Sequence, residues 1–158
     1  MLEVPFISEG VYDTTIIVKG LVPPRRKKKD ILYEQQLNVH LLCYELLERV
    51  EQGKARLFIP SIALVETAAV ISCLTNQPTV AEEAVTFLRS TAKKILYDSL
   101  LLEEAIRIGI ETKASGFDVV FMACSKLLNV PLITDDERLA TICKQHNYNC
   151  IYVRDLLP

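Results

Sequence analysis

The sequence lacks any long hydrophobic run and any recognisable targeting segment. Half of its 158 residues are hydrophobic, yet no apolar stretch approaches the roughly 18 residues that a membrane-spanning helix needs. The N-terminus also lacks the basic start and apolar middle of a signal peptide. We therefore expect a cytoplasmic protein that has no membrane partner.

The sequence also offers few soft metal ligands, with two histidines and five cysteines. The cysteines are odd in number, scattered, and contain no C-x-x-C pair, which argues against a disulfide framework or a zinc site and indicates a reducing compartment. His40 and His146 lie away from the rest of the pattern described below. We interpret both as surface or structural residues.

An excess of positive charge is missing as well, since the formal net charge is -2 and the pI is near 5.7. Nucleic-acid binding would therefore have to come from a local patch. One basic run, "RRKKK", lies within a segment at about 23–30 and consists of Arg25, Arg26, Lys27, Lys28 and Lys29. The length and the absence of low-complexity tracts predict a single domain over residues 1–158.

Predicted strands alternate with predicted helices along almost the whole chain. The strand segments are "GVYD", "ARLFIP", "KKILY", "VPLIT" and "CIYV". Between them lie amphipathic stretches, of which the longest is "DILYEQQLNVHLLCYELLERVEQG". This alternation predicts a three-layer α/β/α fold with a central, mostly parallel sheet.

Acidic residues follow two of the predicted strands. Asp13 comes directly after "GVY", and Asp135 and Asp136 come after "VPLIT". The carboxyl ends of parallel strands meet at one edge of a sheet, so these acids are expected on the same rim. A second interpretation remains open, because Thr134 and Glu137 have the spacing of a capping box that begins a helix.

Two further acids lie in predicted helices. Glu66 has apolar neighbours three and four positions away, so it projects from an apolar face. A buried carboxylate is costly unless it is paired or holds a cation, although Glu66 could also pair with an arginine or lie at the edge of the apolar stripe in water. Asp118 has its own alternative, since Ser115 three residues earlier would complete a capping box.

Convergence of Asp13, Glu66, Asp118 and Asp136 would be strongly unfavourable without a counter-ion. At ~5 Å and an effective dielectric constant near 20, each pair repels by about 3 kcal/mol, or roughly 20 kcal/mol over six pairs. This exceeds the usual stability of a domain, about 5 to 15 kcal/mol. A converged cluster would bind protons or a hard divalent cation, and oxygen ligands suit Mg²⁺ or Mn²⁺.

The order and setting of these acids resemble a PIN domain, the fold of metal-dependent ribonucleases found in VapC toxins and in some RNA-maturation nucleases. The resemblance spans most of the chain, through "VYDTTIIVK", "IPSIALVETAAVI", "LLLEEAIRIGIET" and "SGFDVVFMACSKLLNVPLITDDERLA". It implies that the four acids are catalytic metal ligands and that hydroxyls of Thr14, Thr15 or Thr134 assist them. Asp135 departs from the family pattern, and the resemblance leaves the ligand open between Asp135 and Asp136.

The resemblance further implies an endoribonuclease that cleaves single-stranded or structured RNA through metal-activated water. Such proteins are commonly homodimers, and the toxins among them are silenced by an antitoxin protein. The basic run would contact RNA phosphates, or it is a solvated loop. The alternative function is a catalytically silent RNA- or protein-binding module in an RNA-processing assembly. A phosphatase is disfavoured, because "DTTII" lacks the second Asp that such enzymes carry two residues after the first.

Overall fold

The computed structural model describes residues 4–114 and 116–158, which contain one five-stranded sheet. All neighbouring strands pair in parallel, in the order β3-β2-β1-β4-β5. The strands are β1 (Glu9–Tyr12), β2 (Arg56–Pro60), β3 (Lys94–Leu96), β4 (Leu132–Thr134) and β5 (Cys150–Tyr152). Each predicted strand segment therefore forms a strand, and the sheet is wholly parallel.

Helices connect these strands and cover both faces of the sheet. The described residues form seven α-helices: α1 (Thr14–Leu21), α2 (Ile31–Glu51), α3 (Ile62–Thr75), α4 (Pro78–Thr91), α5 (Asp98–Thr112), α6 (Asp118–Leu128) and α7 (Glu137–Gln145). A short 3₁₀ helix, Val153–Leu156, follows β5. The three-layer α/β/α prediction is confirmed. Within the described ranges, no helix is long and apolar enough to cross a membrane.

Strand β1 lies at the centre of the sheet, between β2 and β4, and three of its four residues are therefore buried. Val11 and Tyr12 are fully buried, as are Leu57 and Ile59 on the neighbouring strand β2. The chain runs from β1 to β2 and β3 on one side, and then crosses back to β4 and β5 on the other. The boundary between β1 and β4 is thus a topological switch point, where open parallel sheets form a crevice at the carboxyl ends of their strands.

Helices α1 and α2 pack closely because Gly20 has no side chain. A Cβ atom at this position would lie 2.6 Å from Leu47 Cδ1 and 2.9 Å from the carbonyl oxygen of Cys43. Helix α2 begins after Asp30, whose carboxylate accepts a hydrogen bond from the Tyr33 backbone N–H at 3.1 Å. This packing holds the middle of α2 against the C-terminal part of α1.

Of the two capping boxes that the sequence suggests, one does not form and the other falls outside the described residues. Ser61 precedes α3, but its hydroxyl donates to Asp98 at 3.0 Å and does not cap the helix. Thr134 still belongs to β4, so Asp136 caps α7 by accepting the Leu139 N–H at 3.0 Å. The expected capping box of Asp118 involves Ser115, which lies outside the described residues.

Candidate functional site

A cleft of about 590 Å³ brings together four acids that are far apart in the sequence. Its lining includes Asp13, which directly follows β1, and Asp136, which lies two residues after β4. Glu66 from α3 and Asp118 from the first turn of α6 line the same cleft. The acids thus meet at the switch point of the sheet, as the parallel topology predicts.

Asp13 is the most buried of these acids, with 7% of its surface exposed. Its Oδ2 atom accepts hydrogen bonds from the hydroxyls of Thr15 and Thr134, each at 2.7 Å. Each hydroxyl also accepts a hydrogen bond from a backbone N–H group at 3.0 Å. The donor to Thr15 is Asp135, and the donor to Thr134 is Asp136. The network fixes the carboxylate and ties the turn after β4 to the end of β1.

Burial raises the pKa of Asp13 above its ordinary value despite these hydrogen bonds. The hydroxyls of Thr134 and Thr15 stabilise the ionised form and lower the pKa, whereas the negative charge of Asp136 raises it. The loss of hydration outweighs the two hydroxyls, so ionised Asp13 is held in an unfavourable environment.

Glu66 is linked to the first helix by Thr14, whose hydroxyl donates to Glu66 Oε1 at 3.3 Å. Burial is the main cause of a raised pKa at Glu66, and the charges of Asp13 and Asp118 raise it further. The hydrogen bond from Thr14 acts in the opposite direction. Glu66 therefore lies close enough to both acids to be repelled by them.

Asp118 is under the same influences. Burial is the main cause of the raised pKa of Asp118, and the charges of Asp13 and Asp136 raise it further. The positive charge of Arg138 lowers this pKa and partly offsets the increase. Since water still reaches this half-buried side chain, the repulsion is screened rather than complete. The mutual effects on these pKa values show that the cleft concentrates negative charge.

The neighbouring residues Asp135 and Asp136 have different environments. The carboxylate of Asp135 is fully buried and forms ion pairs with Lys19 and Arg154. Its Oδ1 and Oδ2 accept from Arg154 at 2.7 and 3.1 Å, and Oδ2 also accepts from Lys19. Asp136 instead lines the cleft, with Oδ1 accepting the helix cap bond. This arrangement favours Asp136 over Asp135 as a metal ligand.

Lys19 and Arg154 were not identified from the sequence, although both line the cleft. Their side chains are 41% and 47% exposed, so each can contact Asp135 and still meet a ligand. Arg154 lies two residues after β5, and the strand-end rule that located Asp13 would have pointed to it. Lys19 could not be found in this way, because its position depends on how α1 packs.

The basic run divides into one residue at the cleft and others that contact the start of α2. Arg25 is exposed and lines the cleft. Arg26 donates to the Asp30 carboxylate at 2.8 and 2.5 Å, with Lys28 4.0 Å from the same group. The ammonium of Lys29 lies 3.5 Å from the centre of the Tyr33 ring. Lys27 is exposed. Contact of this run with RNA remains a prediction.

His40 was expected to lie away from the acids, and the structure places it in the cleft wall beside Gln36. Its Nδ1 lies 2.6 Å from the Lys19 backbone oxygen. Because a carbonyl oxygen only accepts hydrogen bonds, Nδ1 carries the proton and donates. The histidine thus joins α2 to α1 next to Lys19, a contact that depends on tertiary packing and leaves no sequence signal.

The chemistry of these donors fits a hard divalent cation. Four carboxylates line one cleft, and burial together with mutual repulsion raises the pKa of three of them. Across residues 4–114 and 116–158, no group of three or more His, Cys, Asp or Glu side chains is arranged to hold a metal directly. Mg²⁺, however, is commonly bound through one or two carboxylates, with water completing its octahedral shell.

Comparisons with known proteins agree with this architecture. The family model described as "PIN domain" matches residues 11–145. Among solved structures, the chain is similar to one in the crystal structure of VapBC2 from Rickettsia felis bound to a DNA fragment from their promoter. The TM-score is 0.60 at 15% identity, over 90% of this chain and 97% of that one, which establishes likeness of fold. No curated protein sequence matches. The chain therefore belongs to the PIN domain family, whose members are generally nucleases that use divalent metals.

Proposed function

We propose that this protein is a Mg²⁺- or Mn²⁺-dependent endoribonuclease that hydrolyses phosphodiester bonds in single-stranded or structured RNA. The observation that carries this proposal is the convergence of Asp13, Glu66, Asp118 and Asp136 on one cleft. A bound divalent cation would offset the repulsion among these carboxylates, which favours metal binding. Membership of the PIN family supports nuclease chemistry.

The four acids would hold the cation, one or two of them directly and the others through coordinated water, and the surrounding residues would hold the acids. Thr15 and Thr134 fix the Asp13 carboxylate, and Thr14 orients Glu66. A bound divalent ion supplies Lewis acidity and lowers the pKa of coordinated water. Hydrolysis of the phosphodiester adds one water molecule across a P–O bond and leaves a phosphate on one RNA fragment and a hydroxyl on the other.

Lys19 and Arg154 would bind phosphate oxygens of the RNA. A cleft containing four carboxylates repels a polyanion, so substrate binding requires cations at the same place. Asp135 acts as a positioning residue in this scheme, because it holds both cations while they remain about half exposed. Arg25 extends the positive charge toward the basic run.

Cleavage of a labelled single-stranded RNA by wild type, Asp118→Asn and Asp155→Asn tests the proposal. We expect Asp118→Asn to abolish cleavage, because it removes one of the proposed ligands. Asp155→Asn makes the same chemical change at an exposed residue outside the cleft and should retain activity. Activity should also disappear in chelator and return with Mn²⁺.

Metal binding is measured separately, as the rise in melting temperature on adding Mn²⁺. The wild type and Asp155→Asn should be stabilised by the ion, and Asp118→Asn much less. RNA cleavage that persists in Asp118→Asn or in excess chelator would refute the proposed mechanism. Metal binding without any cleavage would support the silent binding module instead.

We further propose that the protein is the toxin of a toxin–antitoxin pair and is inhibited by an antitoxin protein. The similar fold of a chain in the VapBC2 structure supports this role. Expression of the wild type should arrest growth of a host cell, and expression of Asp118→Asn should not. Co-expression of a small protein encoded beside the gene should restore growth, and its failure to do so would favour an RNA-maturation role.

A homodimer is proposed on the basis of an exposed apolar stripe on α5. Leu102, Ile106 and Ile110 follow one another at four-residue spacing, and they are 55%, 48% and 77% exposed. Residues at this spacing share one helix face, and exposed apolar patches commonly mark protein interfaces. Sedimentation of the wild type and of Ile106→Glu would distinguish a dimer from a monomer.

A further inference from the structure

Beyond the acids and cations, the cleft has an apolar wall that phosphodiester chemistry does not require. Val18 and Val22 contribute to it from α1 and its C-cap, and Pro23 from the following turn. Val70 and Leu74, on α3, line the same cleft and are 40% and 46% exposed. Apolar side chains that remain open to water in a concave site offer surface for a ligand of low polarity.

Two polar side chains, Gln36 and His40, interrupt this wall. They are one turn apart on α2, and both line the cleft. The His40 Nδ1–H group is engaged by the Lys19 carbonyl oxygen, which leaves Nε2 as an acceptor in the neutral ring. The Gln36 amide carries both a donor and an acceptor. The pair thus presents one donor and two acceptors next to apolar surface.

We propose that Gln36 and His40 form a nucleobase-binding subsite that determines at which base the RNA is cut. This inference rests on the proposed nuclease function. Proteins that read unstacked bases pack apolar or aromatic groups on the ring faces and hydrogen-bond the ring edges. The wall and the polar pair supply both kinds of contact. Lys19 and Arg154, in the same cleft, would hold a phosphate of that nucleotide.

The other candidate occupant of the wall is an apolar side chain of a partner protein, which fits less well. An aliphatic side chain would leave the Gln36 amide and His40 Nε2 without hydrogen-bond partners when it excluded water from them, which is unfavourable for both groups. It would also make no use of Lys19, Arg154 and Arg25, which line the cleft. A nucleotide satisfies the polar, apolar and charged groups together.

Cleavage of a random-sequence single-stranded RNA pool by the 158-residue chain with Mn²⁺ provides the test. Sequencing of the fragment ends gives the base preference at each position around the cut. The variants are Gln36→Ala and Gln35→Ala, which remove the same side chain from adjacent exposed positions of α2. Only Gln36 lines the cleft, so Gln35→Ala is the matched control.

We expect the wild type and Gln35→Ala to show the same base preference at one position near the cut. In Gln36→Ala this preference should fall roughly fivefold or more, since a bidentate amide contact discriminates between bases by about 1–3 kcal/mol. His40→Ala should weaken the preference at the same position. Identical preferences in Gln36→Ala and Gln35→Ala would overturn the inference and leave the proposed nuclease function intact.

A binding measurement separates failure of the subsite from failure of the nuclease proposal. Fluorescence anisotropy of labelled A6, C6, G6 and U6 RNA is recorded with Asp118→Asn alone, and with that substitution combined with Gln36→Ala or Gln35→Ala. In the Asp118→Asn background, we expect Gln36→Ala to reduce the difference in affinity among the four hexanucleotides and Gln35→Ala to leave it unchanged. This binding measurement tests whether the subsite distinguishes bases even if the wild type cuts no RNA. If Gln36→Ala left the RNA affinities unchanged and abolished binding to the protein encoded by a neighbouring gene, the wall would be assigned to a protein partner. This result would overturn the inference.

Discussion

Replacing aspartate by asparagine is expected to affect stability in opposite directions at positions 118 and 135. Both residues belong to the same edge of the sheet, and the substitution removes one negative charge in each case. Asp118 is repelled by Asp13 and Asp136, whereas Asp135 is paired with Lys19 and Arg154. Without a metal ion, Asp118→Asn should therefore stabilise the protein and Asp135→Asn should destabilise it.

The magnitudes follow from burial and from the partners of each carboxylate. The Asp135 side chain is 0% exposed, and breaking a fully buried ion pair costs about 3–5 kcal/mol. Lys19 and Arg154 are 41% and 47% exposed and regain water, so we expect a smaller loss, about 2 kcal/mol. The repulsion at Asp118 is screened by solvent, and its removal should contribute about 1 kcal/mol.

Thermal unfolding in chelator at about pH 7.5 measures both effects. For a domain of this size, about 1 kcal/mol corresponds to a melting-temperature change of roughly 2–4 °C. Asp135→Asn should therefore melt about 4–8 °C lower than wild type, and Asp118→Asn about 2–4 °C higher. Adding Mn²⁺ should reverse the order of wild type and Asp118→Asn. Destabilisation of equal size by both substitutions in chelator would show that Asp118 is not part of a repulsive cluster.

Two further predictions concern pH and Thr134. The pKa values of Asp13, Glu66 and Asp118 are raised above their ordinary values of 3.8 to 4.5, so the folded state binds protons more tightly at these groups. Their contribution to stability is favourable at low pH and is lost as the pH rises through the raised values. In chelator, the stability advantage of Asp118→Asn should thus shrink as the pH falls from neutral toward the ordinary carboxyl range, and an advantage independent of pH would contradict this. Thr134→Val removes a buried hydroxyl that donates to Asp13 and accepts from Asp136. It should lower the free energy of unfolding by about 1–3 kcal/mol and weaken Mn²⁺ binding, and Thr134→Ser should restore most of both.

The sheet and the convergence of the acids could be predicted because they depend on local patterns and on one general rule of topology. The segments "LFIP" of β2 and "LI" of β4 are apolar because both faces of these strands are buried. Once the sheet is parallel, the residues that follow its strands must lie on one edge, which located Asp13 and Asp136. Resemblance to the PIN family added Glu66 and Asp118 to the same set.

The partners of the acids could not be predicted, because they are set by packing between distant segments. Lys19 and Asp135 are separated by 116 positions, and Arg154 and Asp135 by 19. No local pattern distinguishes Asp135, which binds cations, from Asp136, which lines the cleft. His40 was misplaced for the same reason, because its hydrogen bond to Lys19 exists only when α2 packs on α1.

The central position of β1 also bears on how the protein is made. β1 can pair with β2 once the chain has been synthesised to about residue 60, but its other edge stays open until Leu132–Thr134 are available. Before that point Asp13 lacks the hydroxyl of Thr134, and the cleft lacks both Asp136 and Arg154. A nascent chain on the ribosome therefore has an incomplete centre. A protein that cuts RNA through this centre would acquire that ability only after Arg154 has been synthesised.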